Sequence, residues 1–368
     1  MKTLCVLIGL LTASILQAKT FIILTGMDVV NGNDKHYSGI MAGDTLVLEP
    51  GVRGPIQFNN LCGSTSRYLV IMNGNGVSEI KSTVRPYGIS IRNCRFIKLS
   101  GNGAKGVAYG INISLVEPAG AGMGISDNTD NIEVSNVEIA NTNGPGILCK
   151  TEPNCKALSY QLHNFVIHNC YVHHTGTEGM YIGSSAFKGI ATKCDDSVKM
   201  LIPPLLDDVL VYDNLVEYTG WDGIQISNAV YVKCYNNKIY YDSRKKEEWQ
   251  NSGMVIGGGA AGKFYDNTIA HGYGYGITCL GQGNIEIQHN SIMMDSAFNK
   301  PAIYANDKLA DAEGHYQIKG NTLNTESLPA IKIVSKKHTA PEELIHNKII
   351  THKKAEAIAV EGLKAIIK

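Results

Sequence analysis

The chain has 368 residues and carries 33 lysines and arginines against 33 aspartates and glutamates, so its formal net charge is zero. This balance provides no basic field to hold nucleic acid, and we therefore expect no nucleic-acid partner. The 39 glycines and 11 prolines, together with frequent Asn, Ile and Val, favour short strands joined by tight turns.

Residues 1–18 read MKTLCVLIGLLTASILQA, with a lysine at position 2, an apolar run and a small residue at the end. This pattern is typical of a secretory signal peptide that is cleaved after Ala18. The apolar run is too short to span a bilayer, and no later segment has the length to do so. We expect an exported monomer, secreted or periplasmic, in which residues 19–368 form one domain.

The stretch from Ala42 to Ile80 reads AGDTLVLEPGVRGPIQFNNLCGSTSRYLVIMNGNGVSEI. It contains Gly-Asp-Thr with alternating apolar residues, a Pro-Gly turn, a Gly-Ser turn and a strand that ends in an Asn-Gly-rich turn. This order resembles the first coil of secreted right-handed β-helix proteins of the pectin-lyase-like superfamily. The resemblance implies stacked coils over residues 40–360. It implies no single activity, because the superfamily holds lyases, hydrolases, epimerases and non-enzymes.

A short element recurs along the chain: Gly or Ala, an apolar residue, any residue, then another small or apolar residue. Its copies begin at Gly88, Gly124, Gly146, Gly179, Gly223, Gly253, Gly276, Ala302, Ala330 and Ala357, at steps of 22 to 44 residues. Between copies, alternating apolar residues precede an Asn, and another short strand follows. Three short strands per turn predict an all-β chain, a parallel β-helix of about ten coils that share one core.

The Asn residues between the second and third strands of each coil are expected to stack from coil to coil in a structural role. They are Asn136, Asn169, Asn214, Asn237, Asn267, Asn290, Asn321 and Asn347. Two cysteines, Cys149 and Cys279, fall at apolar strand positions and are expected to be buried thiols. Cys155 and Cys194 fall in loops, where an oxidising compartment would allow them to be cross-linked.

Two copies of the repeat carry an acid just before the glycine. His174-Thr-Gly-Thr-Glu178-Gly-Met-Tyr-Ile aligns without a gap with Tyr218-Thr-Gly-Trp-Asp222-Gly-Ile-Gln-Ile. Equivalent positions on stacked coils lie about 4.8 Å apart, so we expect the two carboxylates on the order of 5 Å apart. The coils on either side carry no acid at this position, which makes the pair local.

Three uses of Glu178 and Asp222 are open. In a glycosidase, a carboxylate pair about 5–5.5 Å apart suits a retaining mechanism. In a lyase, the pair would bind Ca²⁺, which neutralises the uronate carboxylate and acidifies its α-proton. The string TEGMYIGSS is similar to one in calcium-dependent lyases of this fold, with Tyr181 where those enzymes carry Arg. In the third use, each acid accepts backbone N–H groups and caps a turn.

Two long loops, residues 183–206 and 241–252, are expected to wall a groove over these coils. The candidate catalytic residues are Glu178, Asp222, His174, Tyr181 and Arg244, and the candidate substrate-binding residues are Trp221, Tyr218, Gln225, Lys188 and Lys193. β-Elimination needs a base near the α-carbon and a positive group on the carboxylate. His174, Tyr181 or a loop lysine would be the base, and Arg244 or Lys188 the cation. His173 is expected to be an ordinary strand residue.

These residues favour an exported polysaccharide-degrading enzyme, and the resemblance favours a lyase that cleaves an acidic, uronic-acid glycan by β-elimination. A glycoside hydrolase that uses Glu178 and Asp222 is the alternative, and a non-catalytic glycan-binding or surface protein is a third. The expected partner is a polysaccharide or oligosaccharide. The expected cofactor is Ca²⁺, held by Glu178 and Asp222.

Overall fold

The computed structural model describes residues 17–155, 161–295, 299–306, 314–334, 344–353 and 358–360. The predicted signal peptide falls almost wholly outside these ranges. Their strands form three parallel sheets and one antiparallel hairpin, and a short 3-10 helix spans Lys35–Tyr37. Within the same ranges, no helix has the length and apolar character needed to span a membrane.

Each coil contributes one strand to sheet B, then to sheet A, then to sheet C. Sheet A contains β1 (Thr20–Ile23), β3 (Thr45–Leu48), β6 (Leu69–Asn73), β9 (Arg95–Ser100), β12 (Asp130–Ser135), β15 (Gln161–His168), β20 (Leu205–Tyr212), β23 (Ala229–Val230), β24 (Val232–Tyr235), β27 (Gly262–Tyr265), β30 (Gly283–Gln288) and β33 (Gly314–Lys319). Sheet B contains β2 (Val29–Asn31), β5 (Ile56–Asn59), β8 (Tyr87–Arg92), β11 (Ala121–Ser126), β14 (Ile147–Cys149), β17 (Met180–Gly183), β22 (Ile224–Ser227), β26 (Ser252–Ile256), β29 (Tyr275–Cys279), β32 (Ile303–Asn306), β35 (Ile331–Val334) and β37 (Ile358–Val360).

Sheet C contains β4 (Gly51–Arg53), β7 (Ser78–Ser82), β10 (Ile111–Val116), β13 (Val137–Thr142), β16 (Tyr171–Thr175), β21 (Leu215–Glu217), β25 (Lys238–Tyr240), β28 (Thr268–Ala270), β31 (Ser291–Met293), β34 (Thr322–Asn324) and β36 (Lys348–Ile350). The hairpin consists of β18 (Ile190–Cys194) and β19 (Ser197–Leu201), and it branches from the coil that contains β17.

The coils stack in register, so that equivalent apolar side chains form continuous inward rows. Met180 pairs with Ile224, which pairs with Met254 on the next coil, and all three side chains are fully buried. No coil could bury such a row alone, which is why the coils share one core. The predicted parallel β-helix is confirmed. Sheet B has twelve strands rather than about ten, because β2 and β5 precede the first copy of the predicted repeat.

The predicted asparagine stack forms in the second half of the helix. Asn214, Asn237, Asn267, Asn290, Asn321 and Asn347 make a chain in which each Nδ2 donates to the next Oδ1 at 2.9–3.0 Å. Asn136 and Asn169 are not part of it, which corrects the prediction. They lie one position earlier, in the left-handed conformation, and Cys170 occupies the ladder position of its coil, where its N–H donates to Asn214 Oδ1.

Candidate active site

We place the predicted groove over the outer face of sheet B, with two long segments as its walls. Its floor is the outward row Tyr181, Gln225 and Val255, which are register partners on consecutive coils. One wall is the β18–β19 hairpin, which follows β17, and the other is the segment 241–251, which precedes β26. The two predicted loops therefore stand at opposite strand ends of sheet B, on coils that are two steps apart.

The hairpin wall is fastened at two points. A disulfide joins Cys194 to Cys155 on the preceding coil, which confirms the predicted cross-link. Phe187 packs on Gly258, where an added Cβ would approach the ring to 2.1 Å. Lys188 and Lys193 are both exposed on this wall, and Lys188 Nζ lies 5.9 Å from the Phe187 ring centre.

Glu178 and Asp222 occupy equivalent positions on consecutive coils, as the alignment predicts, because the N–H of Gly179 donates to Asp222 O at 2.9 Å. Both side chains are buried, with exposures of 4% and 1%. Asp222 Oδ1 accepts a hydrogen bond from the Ser252 N–H at 2.7 Å, which is the predicted structural use of this acid. Their burial keeps both carboxyl groups out of contact with a ligand in the groove.

Burial also raises the pKa of Glu178, while the charge of Lys150 opposes the rise. It raises the pKa of Asp222 well above its usual range, with a further contribution from the charge of Glu178. Raised pKa values favour protonated carboxyl groups, which are poor ligands for Ca²⁺. The described residues contain no group of three or more His, Cys, Asp or Glu side chains able to hold a metal. We assign no step to calcium, and its binding here stays a prediction.

A third buried acid, Asp242, lies on the coil after Asp222 and was not predicted. It is completely buried, and this burial raises its pKa to about 7. Its Oδ1 accepts from Ser243 Oγ at 2.6 Å, while Oδ2 has no hydrogen-bond partner. The charge of Asp242 raises the pKa of Asp222 further. These carboxyl groups form an acidic layer beneath the groove.

At the turn between sheets C and B, aromatic rings stack from coil to coil. His174, Tyr218, Tyr241 and His271 follow one another at ring-centre distances of 4.9, 4.8 and 5.1 Å. Arg244 from the loop wall lies over Tyr218, 5.5 Å from the ring centre. A cavity of about 310 Å³ opens between His174, Tyr218 and Arg244. We call these three residues the turn cluster.

A hydrogen-bonded chain reaches the turn cluster from sheet C. Glu138 Oε1 lies 3.2 Å from His173 Nε2, and His173 Nδ1 lies 2.8 Å from His174 Nδ1. One assignment of protons satisfies both contacts: His173 Nε2–H donates to Glu138, and His174 Nδ1–H donates to His173. This assignment leaves a lone pair on His174 Nε2. The imidazole is therefore held as an oriented base.

The surroundings also favour the neutral form of His174, whose ring is exposed. Burial of part of the imidazole lowers its pKa, and the neighbouring His173 and the positive charge of Arg244 lower it further, against an opposing effect of Glu217. A neutral imidazole beside a guanidinium can take a proton while the cation holds an anion. The turn cluster thus brings together the predicted base and the predicted cation.

The other predicted residues lie apart from this cavity. Tyr181 Oη donates to Ser185 Oγ at 2.8 Å, and Gln225 Nε2 donates to Ser227 Oγ at 3.2 Å. Trp221 is half-buried, and its carbonyl accepts from the Thr219 hydroxyl. We expect Tyr181 to meet a ligand in the groove, whereas Gln225 is nearly buried.

Sequence reasoning missed Glu138, His173 and Lys150. Lys150 Nζ lies 5.8 Å from the Tyr181 ring centre and 2.5 Å from Glu152 Oε1. The adjacent pair His173-His174 was an available signal for a relay. Two neighbouring imidazoles can hydrogen-bond to each other when one of the two residues has a left-handed backbone conformation. His174 has a φ of 53°, which brings its Nδ1 to its neighbour.

Comparisons with known proteins agree on the fold. Residues 206–366 match the family model described as a right-handed beta helix region. The structure is similar to that of alginate lyase from Paenibacillus sp. strain FPU-7, with 13% identity, a TM-score of 0.59 and coverage of 90% of this chain and 99% of the lyase.

It is also similar to the GH136 lacto-N-biosidase from Eubacterium ramulus, with 12% identity, a TM-score of 0.56 and coverage of 90% and 68% of the two chains. No curated protein matches the sequence. At these identities the likeness concerns the fold, which carries many different activities. The chain has a right-handed parallel β-helix fold.

Proposed function

We propose that this protein is an exported polysaccharide lyase that cleaves an acidic, uronic-acid glycan by β-elimination at the turn cluster. The observation that carries the proposal is the hydrogen-bonded chain from Glu138 through His173 to His174, which ends beside Arg244 at an open cavity. β-Elimination requires these two functions together, a base for the α-proton and a cation for the carboxylate.

In this reaction, His174 Nε2 removes the proton from the carbon next to the uronate carboxylate. The negative charge that develops spreads onto the carboxylate, where Arg244 stabilises it. The electron pair then forms a carbon–carbon double bond while the glycosidic C–O bond at the β-carbon breaks. The departing oxygen takes a proton from water, since the cavity is open to solvent. The imidazolium of His174 then returns its proton to solvent.

Glu138 acts through His173 and is a positioning residue. Its carboxylate fixes the tautomer of His173, which in turn keeps His174 Nδ1 protonated and Nε2 free. It also stabilises the positive charge that His174 gains when it takes the substrate proton. Tyr218 holds the imidazole by stacking and also lines the cavity.

Two further observations support export and a glycan substrate. A disulfide between Cys155 and Cys194 suits an oxidising compartment, in agreement with the predicted signal peptide. The similar solved structures named above include an enzyme called an alginate lyase, of which this chain covers 99%. A monomeric state remains a prediction.

A glycoside hydrolase is the second candidate, because the raised pKa values of Glu178 and Asp222 suit a general acid. This candidate requires a movement that exposes the two carboxyl groups, since both are buried. The similarity to a lacto-N-biosidase supports it to the same limited degree.

The test is a screen of the protein against alginate, polygalacturonate, hyaluronan and a neutral glucan, read by near-ultraviolet absorbance and by reducing ends in the same samples. A lyase creates an unsaturated product, so both signals rise together on an acidic polymer. A rise in reducing ends without absorbance supports the hydrolase and contradicts the lyase. Adding Ca²⁺ or a chelator to parallel samples tests the predicted cofactor.

A further inference from the structure

A large cavity lies on sheet A, away from the groove on sheet B. Its volume is about 800 Å³, and its lining includes Val166, Leu210, Asp208, Tyr231 and Lys233. A volume of this size is in the range of small-ligand sites. Nothing in the proposed reaction uses this cavity.

The floor of the cavity interrupts a row of charges. The outward row of sheet A runs through Lys98, Glu133, Val166, Leu210, Lys233, Lys263 and Glu286 on consecutive coils. Lys98 pairs with Glu133 at 2.9 Å, and Lys263 pairs with Glu286 at 3.1 Å. The row therefore has two neutralised ends and, between them, two aliphatic side chains and Lys233.

Lys233 is a cation of this row that belongs to neither of the two ion pairs. Its side chain is exposed, and it has no ion-pair partner among the residues that the structure describes. The carboxylates nearest to it along the row are each paired with another lysine. The ammonium group is thus available to an anion that lies on the aliphatic floor.

Tyr231 lines the cavity at a position where the three preceding coils carry Asn or Asp. The equivalent residues of the three preceding coils are Asn131, Asn164 and Asp208, and all four have φ between 51° and 55°. Asn and Asp accept this left-handed conformation readily, whereas a tyrosine there costs on the order of 1 kcal/mol. Its ring is 72% exposed, so burial does not offset that cost. Phe96 holds the same conformation earlier in the row, so the exposure of the Tyr231 ring beside the cavity, rather than the strain, points to a binding role.

We propose that this cavity is a second, non-catalytic binding site for an acidic glycan. The sugar ring packs its C–H face on Tyr231 and on the floor made by Val166 and Leu210, and its carboxylate pairs with Lys233. Asp208 accepts hydrogen bonds from hydroxyl groups at the exposed edge. The assignment rests on the proposed function for the class of glycan alone. Such a site would hold the enzyme on a polymer while other segments enter the turn cluster.

The test uses affinity gel electrophoresis in gels that contain alginate, polygalacturonate, hyaluronan or neutral dextran. All variants carry His174→Gln, so that the polymer is not cleaved during the run. Tyr231→Asn introduces the residue that is present at two equivalent positions of the row. Lys233→Met removes the charge and keeps the aliphatic part of the lysine. Lys105→Met, at another exposed lysine, is the matched control.

We expect one of the acidic gels to retard His174→Gln, and each of the two cavity substitutions to weaken that binding about tenfold. The control should migrate like its parent. Retardation unaffected by Tyr231→Asn and Lys233→Met, or no retardation in any acidic gel, would overturn the second site. Equal retardation in dextran would overturn the acidic ligand. A concentration-dependent dimer that Tyr231→Asn abolishes would assign the cavity to a second copy and also overturn the proposal.

Failure of this site and failure of the proposed function are distinguishable. If the wild-type protein yields no unsaturated product while retardation still depends on Tyr231, the lyase is wrong and the second site stands. If the unsaturated product forms and retardation does not depend on Tyr231, the lyase stands and the second site is wrong. With the cavity variants made in the wild-type background, kcat/KM on a short oligosaccharide should be unchanged, while KM on the polymer rises.

Discussion

The carboxyl group of Asp242 takes the place that the hydroxyl of Thr219 holds one coil earlier. The register of β21 and β25 makes these residues equivalent, and both are completely buried. Thr219 Oγ1 donates to the carbonyl of Trp221 at 2.7 Å, as the equivalent Thr142 and Thr175 do to carbonyls of their own turns. Asp242 instead leaves Oδ2 without a partner, facing Gly272, where an added Cβ would lie 2.1 Å away.

This replacement predicts a pH-dependent cost in stability. The pKa of Asp242 is raised to about 7 in the folded protein against 3.8 in the reference state. The folded state therefore binds the proton more tightly, and stability falls as pH rises from about 4 to about 7. Asp242→Asn removes this ionisation and keeps the acceptor for Ser243. The difference in the free energy of unfolding between the variant and the wild type should therefore be larger at pH 8 than at pH 4, by up to about 4 kcal/mol in favour of the variant.

Urea unfolding of both proteins across this pH range measures the difference. Asp266→Asn, at an exposed turn position, is the control and should leave the pH dependence unchanged. Parallel stability curves for Asp242→Asn and the wild type would show that Asp242 is not the buried titrating group.

The pH profile of the reaction reports on Arg244. Burial, His173 and Arg244 lower the pKa of His174, so its imidazole is protonated less readily than an unperturbed one. The acidic limb of kcat/KM should then lie below the usual pKa of histidine. Arg244→Gln removes one positive charge, and it should move this limb to higher pH while kcat/KM falls by about a hundredfold or more. An acidic limb that does not move would show that Arg244 does not influence the pKa of the base.

Sheet A offers a matched control for the positioning role of Glu138. Glu133 Oε1 lies 3.6 Å from His168 Nε2, and His168 stacks on Tyr212 much as His174 stacks on Tyr218. Glu138→Gln should lower kcat about 10- to 100-fold with little change in KM, and it should alter the acidic limb. Glu133→Gln should leave all three unchanged. Equal losses in the two variants would indicate a general effect on the fold.

The disulfide should hold the hairpin wall. Cys155 and Cys194 are 39 residues apart in sequence, and closing a loop of this length stabilises a protein by about 4 kcal/mol in the chain-entropy model. The double variant Cys155→Ser, Cys194→Ser should lower the free energy of unfolding by up to that amount. Reductant should destabilise the wild type and leave the double variant unaffected. Wild-type stability that is indifferent to reductant would contradict the cross-link.

The coils could be predicted because each one repeats the same local signals. Alternating apolar residues, a glycine before β17 and β22, and an asparagine in the ladder are all readable without knowledge of distant contacts. The asparagine ladder nevertheless begins later than predicted. Asn169 and Cys170 are adjacent in sequence, and only the φ of 52° at Asn169 decides which of them points inward.

The site was harder to predict, because burial and hydrogen bonding depend on the walls. The alignment correctly placed Glu178 and Asp222 on consecutive coils, yet it could not show that both are buried or that the Ser252 N–H binds Asp222. Glu138 and His173 lie on neighbouring strands of sheet C, 35 residues apart. Their contact depends on coil register and side-chain length, and no motif in the sequence links them.

The most direct test of the central claim compares His174→Gln with His168→Gln on the acidic polymer that the wild type degrades. Both histidines stack on a tyrosine. His168 lies beside a glutamate directly, whereas His174 is connected to one through His173. Only His174 of the two borders the cavity with Arg244. The measurement is the initial rate of near-ultraviolet absorbance. We expect a wild-type rate for His168→Gln and a loss of about a thousandfold or more for His174→Gln. A His174→Gln rate within a few fold of the wild type would contradict it.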